Sequence, residues 1–379
     1  MLEFEDALAR ILAEVPAPAH EAVTLAAAHG RVLAEQVRSP IDLPPFDNSA
    51  MDGYAVRSGD VAAAKPDAPV RLRVMGKIAA GEPPVVEVLA GGCVRLFTGS
   101  PMPRGADAVV MQEETRPAPD QVGIMLVLAS AHPGENVRKQ GEDISRDAIL
   151  GRPGEILTAG RIGLLAAAGL ARIWVGRKPV IGLLATGSEL RDAGTPLSPG
   201  EIYDSNRFAL AALAQRAGAH CVTLPSVADS AAATRAGLTE AFTRCDIVVT
   251  TGGVSVGELD FVKLAFEEIG GSLQFWKVAI KPGRPFVFGR WDKKLLFGLP
   301  GNPVSAFVTF LLLVRPALLR WQGANDTALP AHPGVLAEAL ANPGERRHFL
   351  RVRVDTASQV RSAGAQASHI PPSSFPCFP

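Results

Sequence analysis

The sequence predicts a multi-domain α/β protein with a doubly wound parallel sheet, a helical linker domain and two small β domains. The chain has 379 residues, which is too long for one ordinary domain and favours two or three. In its second half, short runs that are almost continuously apolar alternate with helical patterns. Such strands are buried on both faces, as in a parallel sheet covered by helices. The runs are PVIGLLA, HCVTLP and DIVVT, and the helical patterns cover residues 206–217, 230–242 and 259–269.

The first half of the chain has a different pattern. Residues 3–14 place apolar side chains on one helical face, and residues 21–28 continue the helical pattern. Short β-rich runs separated by glycine and proline follow, and residues 134–171 return to helix. We therefore predict an interrupted first domain with a second domain inserted into it. The predicted domains are a helical domain of residues 1–40 and 134–171, an inserted β domain of residues 41–133, an α/β domain of residues 172–322 and a C-terminal β domain of residues 328–379.

The composition argues against several classes of function. Lysine plus arginine equals aspartate plus glutamate at 38 each, so no global field attracts nucleic acid or a membrane surface. The four cysteines form no C-x-x-C pair, which argues against a zinc site and a disulfide framework. The N-terminus lacks the pattern of a signal peptide, and we expect a cytoplasmic protein. The apolar run 306–314 is shorter than the roughly 20 residues of a membrane span, and we expect a buried helix.

Three glycine-containing loops follow predicted strands of the α/β domain. They are TGSEL, TGGVSVGELDF and GNPVSAF. Ligands of open parallel sheets bind beyond the carboxyl ends of the strands, and the start of a helix there favours a phosphate. Two loops also carry carboxylates, Glu189 and Glu258 with Asp260, which would repel a phosphate unless Mg²⁺ lies between them. The predicted ligand-binding residues are Thr186, Gly187, Ser188, Gly252, Gly253, Ser255, Pro300, Gly301 and Asn302.

Two lysines beside these loops form a candidate site for an oxyanion. Lys277 and Lys281 lie four residues apart in WKVAIKPGRPF, and residues at that spacing share one face of a strand. Both ammonium groups could then converge on a dianion. The alternative is that they are solvated strand residues, which is the usual position of lysine.

The stretch PPFDNSAMDGYAV also raises two alternatives. Its aspartates, asparagine, serine and glycine are good turn formers, but the apolar residues around them would hold the loop against a core. A loop held in this way could present a carboxylate for chemistry. Thr98 and Ser100 lie in another glycine- and proline-containing turn, for which a simple β-turn is the default interpretation. No stretch fits a P-loop, and no nucleophile and base pair stands out.

Eight longer motifs occur in order along most of the chain. They are PPFDNSAMDGYAV, FTGSPMPRGADAVVMQEE, GEDI, ATGSEL, YDSNRFAL, TTGGVSVGELDFVK, KPGRPFVFG and GLPGNPVSAFVTF. Together they resemble the molybdopterin molybdenumtransferase family, which includes bacterial MoeA and the E domain of gephyrin. The resemblance implies an α/β domain of the molybdopterin-binding type and an elongated homodimer of four-domain subunits. It also implies insertion of molybdate into the dithiolene of adenylylated molybdopterin, with Mg²⁺-dependent hydrolysis that releases AMP.

The resemblance also assigns roles to individual residues. The functional polar residues of the family fall on Asp52, Thr98, Glu189, Asp229 and Asp260. Its cationic oxyanion-binding residues fall on Lys277, Lys281 and Arg351, with a lesser role for Ser368. Asp52, Glu189 and Asp260 are the expected metal ligands. Because Asp52 belongs to the inserted domain and Asp260 to the α/β domain, a two-fold dimer could form each site from both subunits.

The end of the chain departs from the family pattern. It reads PPSSFPCFP, and such proline density cannot supply hydrogen-bond donors to the middle of a sheet. We therefore expect residues 371–379 to lie outside a folded sheet and the last β domain to be incomplete.

Three alternatives concern function and specificity. The related molybdopterin adenylyltransferase, a possible partner, has only the α/β domain, so the presence of residues 1–170 argues against that identity. A gephyrin-like scaffold would need receptor-binding partners, and no appended module or linker in the sequence indicates such a protein. The sequence leaves open whether molybdate or tungstate is preferred, because the two oxyanions have nearly the same charge and size.

Overall fold

The computed structural model describes residues 1–253, 261–342 and 344–364. The chain forms two compact units. The first unit contains Met1–Glu35, Arg152–Thr158 and the described residues from Arg172 onward. The second contains Gln36–Gly151 and Ala159–Ala171. The finer division into four domains stays a prediction.

The described residues form the following helices and strands. The helices are α1 (Phe4–Glu14), α2 (Ser58–Val61), α3 (Ala159–Ala167), α4 (Asn206–Arg216), α5 (Ala231–Arg244), α6 (Phe261–Glu268), α7 (Pro303–Thr309) and α8 (Arg315–Trp321). The strands of the first half are β1 (His20–Thr24), β2 (Val37–Arg38), β3 (Asn48–Ser49), β4 (Gly53–Val56), β5 (Val70–Ile78), β6 (Gly92–Leu96), β7 (Ala108–Met111), β8 (Thr115–Pro117), β9 (Ile124–Val127), β10 (Val137–Arg138), β11 (Ile149–Gly151) and β12 (Arg172–Gly176). Those of the second half are β13 (Val180–Ala185), β14 (Leu190–Arg191), β15 (Ile202–Tyr203), β16 (His220–Thr223), β17 (Ile247–Thr251), β18 (Ser272–Trp276), β19 (Ile280–Lys281), β20 (Val287–Trp291), β21 (Lys294–Leu299), β22 (Val335–Leu336), β23 (Arg347–His348), β24 (Val352–Val354) and β25 (Gln359–Ser362).

A six-stranded sheet in the order β16-β13-β17-β21-β20-β18 forms the centre of the first unit. The first four strands are parallel. Successive strand residues alternate between two cores: Val249 and Phe297 face a core with α1, α4, α7 and α8, and Val248 and Leu296 face one with α5 and α6. Helices therefore cover both faces, which confirms the predicted doubly wound α/β domain. The strand β20 pairs antiparallel with both β21 and β18. Only Asp292 and Lys293 connect β20 to β21, and so short a connection forces a hairpin.

The apolar helix Pro303–Trp321 comprises α7, a π-helical turn at Phe310–Val314 and α8. By length and composition alone it could cross a membrane. However, 61% of its most apolar window is buried inside the structure, and Phe310, Leu313 and Leu318 are fully buried in the core that contains α4. It is therefore a core helix of the first unit, as the sequence analysis expects.

Two helical predictions in the first half are wrong. The predicted helix over residues 21–28 is instead β1 followed by a short 3₁₀ turn, Leu25–Ala27. Its backbone pairs antiparallel with β12 over five residues, and this long-range pairing overrides the local helical pattern. Within the predicted helical region 134–171, only α3 is helical, while β10 and β11 pair with β3 and β2.

The second unit contains a six-stranded mixed sheet in the order β7-β4-β6-β5-β9-β8. Its strands bury alternate residues on two faces: Val56 and Cys93 belong to one apolar cluster, and Ala55 and Val94 belong to the other. This sheet lies within the predicted β region 41–133. Its strand β4 pairs with both β6 and β7, which fixes the start of β4 directly after Asp52.

The C-terminal strands are short. β22, β25 and β24 form a three-stranded sheet, while β23 pairs with β19. The pattern of the stretch HFLRVRV predicts one strand, but the stretch is divided between β23 and β24, with residues 349–351 between them. The predicted tail, residues 371–379, lies outside the described residues.

Candidate functional site

A cleft of about 720 Å³ lies at the carboxyl ends of β13, β17 and β21 in the first unit. This is the edge of the sheet at which the sequence analysis expects a ligand. Five predicted site residues line the cleft: Thr186, Glu189, Gly252, Gly301 and Asn302. The remaining lining residues are Leu190, Leu197, Ile202, Tyr203, Asp204, Ser205, Asn206, Thr251 and Pro303.

The loops after β13 and β17 approach each other closely, and this approach explains why a glycine, Gly252, follows β17. The backbone N–H of Thr186 donates to Thr251 O at 2.9 Å, and Gly252 N–H donates to Leu299 O at 3.2 Å. Gly252 has φ +85°, and a Cβ there would overlap the carbonyl oxygen of Thr186. Only glycine fits this conformation and this contact without strain. Consequently the strand ends form one continuous polar floor for the cleft.

The loop after β21 begins a helix with a side-chain cap. Asn302 Oδ1 accepts from the N–H groups of Val304 and Ser305, at 3.1 and 3.2 Å. Two amide groups at the start of this helix, where the sequence analysis expects a phosphate, therefore already have a partner. The side chain of Asn206, at the start of α4, donates to Gly301 O at 2.7 Å. The YDSN segment and the GNP loop are thereby held together in the cleft wall.

Glu189 and Asp229 have different surroundings. Glu189 is exposed and lines the cleft, and a Cβ on Gly187 would collide with its carboxylate. Asp229 instead accepts from the N–H of Ser188 at 3.1 Å, while its own N–H donates to Ser188 Oγ at 3.2 Å. Asp229 thus holds the TGSEL loop in place. Among the residues that line the cleft, Glu189 and Asp204 carry the carboxylates, and Asp204 is buried.

One wall of the cleft was not predicted. It consists of the segment from Leu190 to Asn206, which contains β14 and β15. Its buried Asp204 pairs with Arg207, whose Nε lies 3.0 Å from Asp204 Oδ2. Arg207 Nη1 also donates to Leu224 O at 2.8 Å, and Nη2 pairs with Asp192. The motif YDSNRFAL marked this segment in the sequence, but charge pattern alone did not show that Arg207 would be buried.

In the second unit, Asp52 and Thr98 are in direct contact. Thr98 donates to Asp52 Oδ1 through both its backbone N–H and its hydroxyl, each at 2.8 Å. The backbone bond, followed by the hydroxyl bond, holds the pKa of Asp52 below its ordinary value, and the charge of Arg95 acts in the same direction. Asp52 is therefore an ionised carboxylate in the neutral pH range. Asp47, the first aspartate of the same stretch, accepts from Lys139 Nζ and Gln140 N–H and so helps to hold the loop in place.

The geometric argument for the two lysines is wrong. Lys277 and Lys281 do not share a strand, because β18 ends at Trp276 and Lys281 belongs to β19 in another sheet. Lys277 has φ +70°, a left-handed conformation that ends the extended run. Its Nζ lies 3.7 Å from the centre of the Trp276 ring. Their predicted role in binding an oxyanion does not depend on a shared strand and stays a prediction.

Three further predicted residues, Arg351, Gly253 and Pro300, are not among the residues that line the cleft. Arg351 directly precedes β24, and its carbonyl accepts from Ala363 N–H at 3.0 Å. Gly253 and Pro300 lie in the loops after β17 and β21. Three predicted site residues, Ser255, Asp260 and Ser368, lie outside the described residues, as does Glu258.

No cluster of three metal-ligating side chains occurs in the described part of the chain. Within residues 1–253, 261–342 and 344–364, no three His, Cys, Asp or Glu side chains come together as metal ligands. Of the three predicted ligands, Glu189 lines the cleft, Asp52 belongs to the other unit, and Asp260 lies outside the described residues. Because Mg²⁺ is often bound by only one or two carboxylates together with substrate phosphates, a requirement for Mg²⁺ stays a prediction.

Comparison with known proteins identifies both halves of the chain. Residues 2–169 match the MoeA N-terminal region (domain I and II), and residues 182–320 match a probable molybdopterin binding domain. The molybdopterin molybdenumtransferase of Haemophilus influenzae is 38% identical over 98% of this chain and 91% of its own length. Molybdopterin molybdenumtransferase 2 of Mycobacterium tuberculosis is 40% identical over 92% of this chain and 86% of its own.

A solved structure shows the same architecture. The molybdopterin biosynthesis MoeA protein of Pyrococcus horikoshii superposes with a TM-score of 0.79 at 30% identity, over 97% of this chain and 92% of its own. Sequence and fold therefore agree along nearly the whole length, from the α1 helix to the C-terminal strands. On these matches and on the cleft at the ends of its parallel strands, the chain belongs to the molybdopterin molybdenumtransferase family.

Proposed function

We propose that this protein inserts molybdate into the dithiolene of adenylylated molybdopterin and hydrolyses the adenylyl bond, with release of AMP. As a member of its family it is a transferase of molybdenum cofactor biosynthesis. The observation that carries the proposal is the cleft at the carboxyl ends of β13, β17 and β21. Its volume of about 720 Å³ lies in the range of sites that bind small molecules.

The residues of the cleft suit a large substrate with both polar and apolar parts. Thr186, Gly252 and Gly301 line the floor, and the two glycines, which have no side chain, let a phosphate approach the chain closely. Leu197, Ile202 and Tyr203 offer apolar surface on one wall, suited to a flat ring system. We propose that this wall orients the pterin while the floor holds the phosphate.

Carboxylates and cations would then have separate roles in the reaction. Glu189 stands at the cleft and is suited to work at the phosphoryl group. Asp52, which Thr98 holds ionised in the second unit, is a further proposed catalytic carboxylate. Lys277, Lys281 and Arg351 would neutralise molybdate. The Mg²⁺ requirement, the homodimer and transfer of substrate from a molybdopterin adenylyltransferase are part of the same proposal, and the family resemblance supports them.

The direct test incubates the purified protein with adenylylated molybdopterin, Mg²⁺ and molybdate, and measures AMP by chromatography. We expect AMP release that requires molybdate and that stops when Mg²⁺ is chelated. A parallel reaction with tungstate measures the preference between the two oxyanions. AMP release that does not respond to either oxyanion would contradict the proposed insertion reaction.

The proposed homodimer needs a separate measurement. Light scattering after gel filtration should give twice the mass of the 39.8 kDa chain. A mass equal to one chain at all concentrations would contradict the dimer without affecting the proposed reaction.

A further inference from the structure

Arg95 lies against two aromatic rings of the mixed sheet in the second unit. Its strand β6 pairs antiparallel with β4, and Arg95 is directly opposite Tyr54. The guanidinium carbon of Arg95 is 5.0 Å from the centre of the Tyr54 ring and 5.4 Å from the centre of the Phe97 ring. Both distances are within the limit of about 6 Å for a cation–π interaction. Arg95 is half-buried, and these contacts restrict the positions that its guanidinium can take.

The guanidinium also reaches past the neighbouring strand. The order in this part of the sheet is β7-β4-β6, so β4 separates β6 from β7. Arg95 Nη2 donates to the side-chain oxygen of Gln112, the residue that directly follows β7. The side-chain nitrogen of Gln112 donates in turn to Glu113 Oε1 at 3.1 Å, so the amide is oriented with its oxygen toward Arg95. Arg95 thus crosses β4 and joins β6 to the end of β7.

The strand that Arg95 crosses begins directly after Asp52. Gln112 donates its backbone N–H to Asp52 O at 3.0 Å, so the residue that accepts from Arg95 also holds the backbone of Asp52. On the other side, Thr98 holds the Asp52 carboxylate with two hydrogen bonds. The positive charge of Arg95 also attracts that carboxylate. Asp52 is thereby held at its backbone from the β7 side and at its side chain from the β6 side.

The chemistry of arginine suits this position. A guanidinium is planar, carries five N–H donors and stacks on aromatic rings, whereas a lysine ammonium is a compact point charge. Most arginine side chains of a protein surface extend into water. Arg95 instead contacts two rings and an amide oxygen, and its charge acts on a nearby carboxylate. Its contacts are therefore those of a structural link and not of a solvated side chain.

We propose that Arg95 is a positioning residue of the reaction, which holds Asp52 in its working position by joining β6 to the end of β7 across β4. This inference rests on the proposed function, in which Asp52 is a catalytic carboxylate, and it adds the residue that keeps this carboxylate in place. Gln112 transmits the effect, because it contacts both Arg95 and Asp52. Arg95 itself is assigned no contact with the substrate.

The first measurement is the steady-state rate of AMP release by the full-length protein. Arg95→Met removes the guanidinium but keeps an unbranched apolar side chain against the rings. We expect kcat to fall about tenfold, as for the loss of a hydrogen bond to a charged group. KM for adenylylated molybdopterin should stay within about twofold of the wild-type value, because the residues proposed to bind the substrate line the cleft of the first unit. The control is Arg73→Met, at an exposed arginine of the neighbouring strand β5, and it should have the wild-type kcat.

Two changes at Gln112 test whether this residue transmits the effect. Gln112→Leu removes the acceptor for Arg95 but keeps the backbone bond to Asp52, and it should lower kcat as Arg95→Met does. Gln112→Glu keeps an acceptor oxygen and should retain most of the wild-type kcat. Because Arg95 and Gln112 act through one contact, the double variant Arg95→Met with Gln112→Leu should be no slower than the slower single variant.

The second measurement does not depend on the reaction. Amide hydrogen exchange of the substrate-free protein, followed by mass spectrometry, reports whether the N–H groups of Thr98 and Gln112 keep their bonds to Asp52. Both amides should exchange faster in Arg95→Met than in the wild type, and Arg73→Met should leave their exchange unchanged. Wild-type protein that releases no AMP would contradict the proposed function, and hydrogen exchange would still decide whether Arg95 holds Asp52.

The inference requires both effects, so either one alone would overturn it. A lower kcat with wild-type exchange at Thr98 and Gln112 would mean that Arg95 acts on the reaction by another route. Faster exchange with the wild-type kcat would mean that the reaction does not need Asp52 held in this way. A raised KM with an unchanged kcat would place Arg95 in substrate binding instead. Circular dichroism checks the fold of each variant, and if Arg95→Met does not fold, Gln112→Leu at an exposed residue gives the same two readouts.

Discussion

The two six-stranded sheets of this protein bring polar side chains together in different ways. In the first unit, β13, β17 and β21 are parallel, so their carboxyl ends share one edge and their loops line one cleft. In the second unit, β4 and β6 are antiparallel, so the start of one lies beside the end of the other. Asp52 and Thr98 meet there because Thr98 donates two hydrogen bonds. A parallel sheet thus predicts a site from topology, whereas the antiparallel pair depends on one local interaction.

The largest expected effect tests whether topology alone maintains the cleft. Arg207→Met removes the cation that pairs with Asp204, whose side chain is only 2% exposed. Breaking a buried pair in this way costs about 3–5 kcal/mol, because the remaining carboxylate stays buried without its partner. We expect that loss in the free energy of unfolding, measured with urea and circular dichroism.

The control for Arg207 is an exposed pair on α5. Arg244 and Glu240 are 55% and 58% exposed, so Arg244→Met should cost about 0.3–0.5 kcal/mol. Similar small losses for both variants would show that the cleft wall does not depend on the Arg207 network.

The second effect concerns the close approach of the parallel strand ends. Gly252→Ala places a Cβ against the carbonyl of Thr186 and also strains a residue at φ +85°. We expect a loss of about 3 kcal/mol, from the left-handed backbone together with overpacking. Gly200→Ala is the matched control, since Gly200 has φ +90° but no atom within 4 Å of a new Cβ. Urea unfolding of the two variants separates backbone strain from the contact, and equal losses would remove any special role for the contact.

The third effect is on activity rather than stability. Glu189→Gln keeps the size of the side chain but removes the charge at the cleft. The rate of AMP release should fall by about a hundredfold, the magnitude found when one stabilising polar group is removed from an active site. Glu267→Gln, at an exposed glutamate on α6, should leave the rate unchanged. If both variants retain the wild-type rate, Glu189 has no part in the reaction.

The cleft floor could be predicted because its cause is topological. Once apolar runs and helices were seen to alternate, the loops of Thr186, Gly252 and Gly301 had to meet at one edge. The opposite wall could not be predicted in the same way. The strands β14 and β15 have only two residues each and show no hydrophobic periodicity. The burial of Arg207 likewise results from partners distant in sequence, such as Leu224.

The lysines show a second limit of sequence reasoning. The run LQFWKVAI predicts one continuous strand, and that strand would place Lys277 and Lys281 on one face. In the structure the extended run ends at Trp276, because Lys277 adopts a left-handed conformation and β19 pairs with β23 instead. Local pattern does not contain this information, since the pairing of β19 with β23 joins segments that are distant in sequence.

The smallest effect tests the local interaction in the second unit. Thr98→Val removes the hydroxyl bond to Asp52 but keeps the backbone N–H bond, so the carboxylate should remain in place. Because the hydroxyl bond lowers the pKa of Asp52, its loss should raise that pKa toward the ordinary value. Asp52 would then become protonated at a higher pH as the solution is acidified. The acidic limb of the pH profile for AMP release should therefore shift to higher pH. At neutral pH the rate should fall only about fivefold, as expected for one neutral hydrogen bond.

Thr98→Ser keeps the hydroxyl and should show the wild-type profile. A lower rate in Thr98→Val with an unshifted acidic limb would mean that Thr98 acts on the reaction by a route other than Asp52. The comparison between the two sheets would then change, because the antiparallel pair would no longer depend on this one interaction.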